Sequence, residues 1–177
     1  MTLRPIIFAA PMIRAIIDGR ITQTRRIMKP QPPEDCGRLI VGNYHPTLID
    51  RHGEEQPGPE TFGAYSEDGA WALRCPYGAP GDSLWVRETC YYNDEIIDVD
   101  TGRPMVAYRA DGEMPAYMKG ERWRPSIHMF RWASRITLEV TGIRVDWERN
   151  DWVFVIDFRV MREAHGLPYL RGRVSEP

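Results

Sequence analysis

Hydroxyl and guanidinium side chains are brought together in Thr22-Gln23-Thr24-Arg25-Arg26, a composition suited to holding an oxyanion. The hydroxyls give short hydrogen bonds, and arginine's planar fork takes a phosphate or carboxylate through two parallel ones. β-Branched residues make the run extended, with Thr22, Thr24 and Arg26 on one side and Ile21, Gln23 and Arg25 on the other. The plainer reading is a polar edge strand whose arginines pair with Asp18 or with acidic residues further on. A second candidate, Arg87-Glu88, closes the run Ser83 to Thr89. There Trp85 and Arg87 share a face able to stack on a base and hydrogen-bond it, although a charge pair at a strand end is equally ordinary as solvated surface. The third, Arg122 to Trp132, interleaves Arg122, Arg124 and Arg131 with Trp123, Phe130 and Trp132. Single-stranded RNA recognition uses that combination, guanidinium to phosphate and ring to base. The alternative is that Ile127, Met129 and Trp132 plug one end of the fold while the arginines face water. His128 stands alone and reads as a hydrogen-bonded structural histidine.

These residues need elements to hold them. Pro5 to Ala10 reads as a short buried strand. Pro11 then opens a helix in which Met12, Ala15 and Ile16 share a face, and Gly19 closes it in a left-handed conformation. The segment 30–70 is rich in Pro, Gly, Asp and Glu, with short apolar patches only at Leu39-Ile40-Val41 and Thr47-Leu48-Ile49. It is expected to be an elaborated surface insertion (31–70) with one hairpin, or a partly disordered one. The turn cluster Tyr77 to Asp82 leads into a strand in which Leu84 and Val86 point one way, Trp85 and Arg87 the other. Further strands are expected over Met105 to Arg109, over Ser134 to Val145 with Ile136, Leu138 and Val140 facing in and Arg135, Thr137 and Glu139 facing out, and over the near-continuous apolar Trp152 to Val160, a central strand covered on both faces. The tail, 161–177, is expected to make one helical turn and then fray.

The chain has 177 residues and 42% hydrophobic composition, which suits one domain with a packed core. Its formal net charge of -2 excludes binding of nucleic acid by bulk electrostatics, so any such contact is local. Arginine outnumbers lysine 21 to 2, a bias that a GC-rich genome alone would produce and that also favours phosphate and ring contacts. Cys36, Cys75 and Cys90 lack C-x-x-C spacing and the histidines are scattered, so neither a disulfide framework nor a metal site nor a cofactor is expected. No run nears the ~18 apolar residues of a membrane span, and the first residues lack a secretory pattern, so a cytoplasmic protein is expected. The expected fold class is α+β, mostly β: a small curled sheet or barrel with one or two helices.

The segments Gly19 to Arg26, Pro80 to Glu88 and Trp123 to Arg135, in this order, resemble the ASCH domain of the PUA-like superfamily, and especially a phage- and prophage-borne branch carrying G-R-K-T-Q-T-R-R, P-G-D-x-L-W-V-R-E and W-x-P-S-I-H-M-x-R-W-A-S-R. The resemblance covers most of the chain outside 31–70 and the tail. It implies a PUA-like pseudo-β-barrel whose cleft, between helix and sheet, is lined by the Thr/Arg run and the Arg-Glu strand. Some small bacterial ASCH proteins are amidohydrolases that deacetylate N4-acetylcytidine with a lysine, a threonine and a glutamate. Thr24 matches the threonine. The lysine position is Ile21, which cannot accept a proton, and the stretch Asp146 to Asp151 is too short for the helix that bears the glutamate, although Glu148 lies within it.

The expectation is therefore a binding module for RNA or a modified nucleoside, phage-encoded and catalytically impaired, with Thr22, Gln23, Thr24, Arg25, Arg26, Trp85, Arg87, Glu88 and Arg131 around the ligand. One alternative is an amidohydrolase acting on N4-acetylcytidine-like nucleosides with Thr24 as nucleophile. The other is a phage protein that binds a host protein through 31–70.

Overall fold

The computed structural model describes residues 2–99, 102–118 and 120–161. The expected helical turn and frayed end of the tail fall on 162–177, outside the described residues. Along the chain run β1 (Leu3–Ile7), α1 (Ala10–Ile17), β2 (Gln23–Ile27), β3 (Leu39–Tyr44), β4 (Thr47–Ile49), β5 (Glu55–Pro57), β6 (Thr61–Ser66), β7 (Ala72–Arg74), β8 (Ser83–Arg87), β9 (Cys90–Ile97), β10 (Pro104–Tyr108), β11 (Thr137–Glu148) and β12 (Asp151–Val160). Short 3-10 turns at Arg109–Asp111, Ala116–Met118, Ser126–His128 and Arg131–Ala133 fill the stretch before β11. Strands predominate, and the class is α+β, mostly β.

The central sheet has five strands in the order β1-β8-β11-β12-β2. β1 runs parallel to β8, and the remaining neighbours are antiparallel. β1 and β2 are its two edges, and no backbone ladder joins them. One side chain does: Arg26 of β2 donates from Nη2 to the carbonyl of Ile7 at the end of β1, at 2.6 Å. β11 and β12 form a long hairpin around Arg149-Asn150, both with positive φ (52° and 67°), the backbone of a turn whose twist matches that of the flanking strands. Val153 to Ile156 are buried in succession, because β12 lies between two neighbours and is covered on both faces.

The helix ends as its sequence requires. Gly19 has φ 70°, its N–H donates to the Ile16 carbonyl (3.0 Å), and that of Arg20 donates to the Ala15 carbonyl (2.8 Å), the paired bonds of a left-handed C-terminal cap. Its buried residues Ile13 and Ile16 pack with Ile6, Leu84, Val86, Leu138, Val140, Phe154 and Ile156 of the sheet's inner face and with Phe8 just beyond β1.

The segment 31–70 is more ordered than a surface loop with one hairpin. Its apolar patches are strands: β3 pairs with β6, which pairs with β7 in a three-stranded sheet, while β4 and β5 form a separate exposed hairpin. Ala64 and Cys75 are in the main core, with Val41, Phe62, Trp71 and Leu73 against it. Gly63 permits the close β6–β7 approach, since a Cβ there would run into the Leu73 carbonyl. Proline and acid content pointed to loop; the buried alternate residues of β6 won. The first strand also begins two residues earlier than expected, and β9, which sequence reading left out, pairs with β10.

Candidate nucleic-acid interface

The sheet has two faces, and the candidate residues divide between them. On β2, Thr24 stands opposite Ile156 and Arg26 opposite Phe154, on the inner, core-covered face. Thr24 is 7% exposed. Arg26 lies over the Phe8 ring at 4.9 Å from its centroid, and its Nε is buried without a hydrogen-bond partner. Burial holds the Arg26 guanidinium below its ordinary pKa, against the opposing effect of Tyr77. On the other face Gln23 donates to Asp157 (2.7 Å) and Arg25 pairs with Glu148 (3.2 Å). Adjacent arginines on an extended strand point opposite ways, so Arg25 and Arg26 do not grip one anion together. Thr22 precedes the strand, exposed, and its carbonyl accepts from the Phe158 N–H. Ile21 packs against the core.

The Arg-Glu strand divides the same way. Leu84 and Val86 face in, as does Glu88, which is 1% exposed and held by Arg135. Trp85 and Arg87 face out, opposite Pro5 and Ile7 of β1. Arg87 places its guanidinium 5.4 Å from the Trp85 centroid and donates from Nε to the Ser126 carbonyl (3.0 Å) and from Nη2 to the Ile127 carbonyl. It is thus committed to the loop, which it ties to β8. The Thr/Arg run and the outward half of this strand therefore do not share a hollow: Thr24 and Arg26 face the core while Trp85 and Arg87 face away from it.

What the structure does bring together is Trp85 and Arg131. They line an outer-face cleft of about 360 Å³, with Thr2, Leu3, Ser83, Ser134, Thr137 and Met161 completing its walls. An aromatic face, a guanidinium and several hydroxyls are the groups that hold a base and its phosphate. A cleft of this size falls in the range of small-molecule sites.

The segment leading to this cleft is only partly a plug. Met129 is buried, but Ile127, Phe130 and Trp132 are 59%, 57% and 38% exposed. Phe130 and Trp132 flank the buried Tyr92 at 6.0 and 5.0 Å between centroids, and Arg124 lies 4.2 Å from the same ring. His128 is exposed, not enclosed in a hydrogen-bonded structural role.

Sequence reading missed the support beneath. Arg135, expected to face water, has a side chain only 12% exposed and joins Glu88 to Asp111. It precedes β11, so strand alternation did not govern it. Tyr92 was missed with β9, although Cys90-Tyr91-Tyr92 before Ile96-Ile97 carries the aromatic and β-branched residues of a strand. The walls Thr2, Ser83 and Thr137 had no signal in spacing, since adjacent strands assemble them.

Among the described residues no group of three or more His, Cys, Asp or Glu is placed to hold a metal, and no helix is long and apolar enough to cross a membrane. Compared with models of known families, with curated proteins and with solved structures, the chain matches none.

Proposed function

We propose that this chain is an RNA- or modified-nucleoside-binding module of the ASCH, PUA-like kind, phage-encoded, that takes its ligand in the cleft between Trp85 and Arg131. The observation that carries this reading is their convergence on one 360 Å³ hollow from β8 and from the arginine- and aromatic-rich segment. A base stacks on Trp85, the Arg131 guanidinium meets phosphate, and the exposed rings of Phe130 and Trp132 extend the platform to neighbouring bases. The net charge of -2 fits a site that relies on stacking and a few arginines. The mostly β architecture, with a five-stranded sheet whose edge strands β1 and β2 are bridged by Arg26, supports this reading.

Catalysis by Thr24 forms no part of this function. Its hydroxyl faces the core, and the position three residues before it is the apolar Ile21, packed against the same core. A hydroxyl without a base to take its proton is a poor nucleophile.

Fluorescence anisotropy with a labelled short single-stranded RNA tests the assignment. Trp85→Ala and Arg131→Ala should each weaken binding by about 1–3 kcal/mol, roughly 5- to 150-fold. Unchanged affinity in both variants, with folding intact, removes the cleft from the function.

A further inference from the structure

A second cleft, of about 230 Å³, lies where the three-stranded sheet meets the start of the β1–β8 pair. Arg4 of β1 and Arg74 of β7 reach it from separate sheets, with Asn43, Glu60, Thr61 and Phe62 on its other sides. Neither arginine forms an ion pair among the described residues. Arg4 Nε is buried without any hydrogen-bond partner. Buried donors are nearly always satisfied, so an unpaired guanidinium nitrogen beside a polar cleft points to an absent acceptor.

The acidic residues there do not fill that role. Asp82, also in the wall, is already engaged: Oδ1 accepts from the Thr2 N–H (2.6 Å) and Oδ2 from the Ala79 N–H (3.2 Å). Glu60 is exposed on the margin, where a carboxylate accepts only from donors such as hydroxyls. Two guanidinium groups that form no ion pair among the described residues call for an oxyanion, whereas Glu60, Asn43 and Thr61 suit hydroxyls, and Phe62 offers a ring to the carbon face between them.

We infer that this second cleft is a binding site for a hydroxylated phosphate ester of sugar-phosphate size, the phosphate between Arg4 and Arg74 and the hydroxyls toward Glu60 and Asn43. That chemistry comes either as a free sugar phosphate or as the ribose-phosphate backbone of an RNA. The inference stands apart from the Trp85 cleft, since no residue lines both.

Calorimetric titration of the full chain with ribose 5-phosphate, alongside anisotropy with single-stranded RNA, decides it. Saturable ribose 5-phosphate binding, weakened about tenfold in Arg74→Gln as expected for a lost charge-assisted hydrogen bond and retained in Trp85→Ala, identifies a free sugar phosphate. No such binding, but RNA affinity lowered by Arg74→Gln, identifies the backbone. Arg74 is exposed, so this variant folds; Arg4→Gln, checked by its melting temperature, gives a second reading from the opposite wall. If neither probe responds to either substitution, or ribose 5-phosphate binds equally well to both variants, the site is overturned.

Discussion

Arg135 holds Glu88 through both carboxylate oxygens, donating from Nε to Oε1 at 2.8 Å and from Nη2 to Oε2 at 3.0 Å, while its third nitrogen reaches Asp111 at 2.7 Å. The guanidinium lies 3.9 Å from the Tyr108 ring centroid, and the Tyr108 hydroxyl donates to the Ala133 carbonyl. Burial pushes the Glu88 carboxyl up, and Arg135 pulls against that; Arg135 itself is kept firmly protonated by its two carboxylates despite burial. The network anchors Ala133 to Arg135 and so fixes the short turn from which Arg131 enters its cleft.

Removing one partner of a buried pair leaves the other charge undercompensated, and without Glu88 the buried Arg135 keeps only the half-exposed Asp111. Glu88→Ala should therefore cost about 3 kcal/mol, the low end for a broken buried pair, against much less for replacing both members by apolar residues of similar volume. For a chain of this size that is a fall in melting temperature on the order of 10 °C, read by differential scanning calorimetry. A single variant that melts with the parent would show the pair to be dispensable.

Arg26 closes the sheet's seam with one hydrogen bond and one ring contact. Arg26→Ala should destabilise the chain by about 1–3 kcal/mol in urea unfolding while leaving RNA affinity unchanged, since the side chain faces the core, away from the Trp85 cleft.

Thr24→Val provides the corresponding control for Thr24 as a nucleophile. The isosteric change on the core side should keep RNA affinity within about twofold, because independent sites do not couple. N4-acetylcytidine incubated with the parent chain should yield no cytidine; its appearance, abolished by Thr24→Val, would restore the hydrolase reading.

The thiols divide by burial. Cys75 and Cys90 are pushed up to about 11, the first cause being burial, with Glu88 adding to the effect at Cys90. At pH 8 roughly one molecule in a thousand carries either thiolate. Cys36 is partly exposed and raised less, so iodoacetamide should label it first, as peptide mass spectrometry would show.

Burial pushes Asp82 up, but the Thr2 and Ala79 amides and Arg4 outweigh it, and its carboxyl lies below the ordinary range. A depressed folded-state pKa contributes stability above the unfolded value of about 3.9 and loses it as pH falls through the folded one. The stability gap between parent and Asp82→Asn should therefore narrow on acidification from about pH 6 to about pH 3, followed by urea titration.

Much of the scaffold was legible because alternation and capping are local. Leu84 and Val86, Ile136, Leu138 and Val140, and the Gly19 cap all lie where their spacing put them. The site was legible only in part. Trp85 and Arg131 were visible as residue types, but their meeting depends on the path from β10 to β11, which local patterning does not encode. Arg25 and Arg26 are separated by the same alternation that predicts the strand: with β2 covered on one side, Arg26 faces the core and Arg25 the other face. Segment 31–70 misled because its composition is that of a loop, whereas Ala64 and Phe62 pack into the main core, most of which other segments supply.

The unpaired edges of β1 and β2, joined by a single long side chain, leave the molecule a line of weakness. Amides bordering that line can swap protons with solvent through small excursions, whereas those of β12, laddered on both sides, wait for global opening. Deuterium uptake should therefore run from the seam inward, making Arg26 the latch of the first unit to come loose.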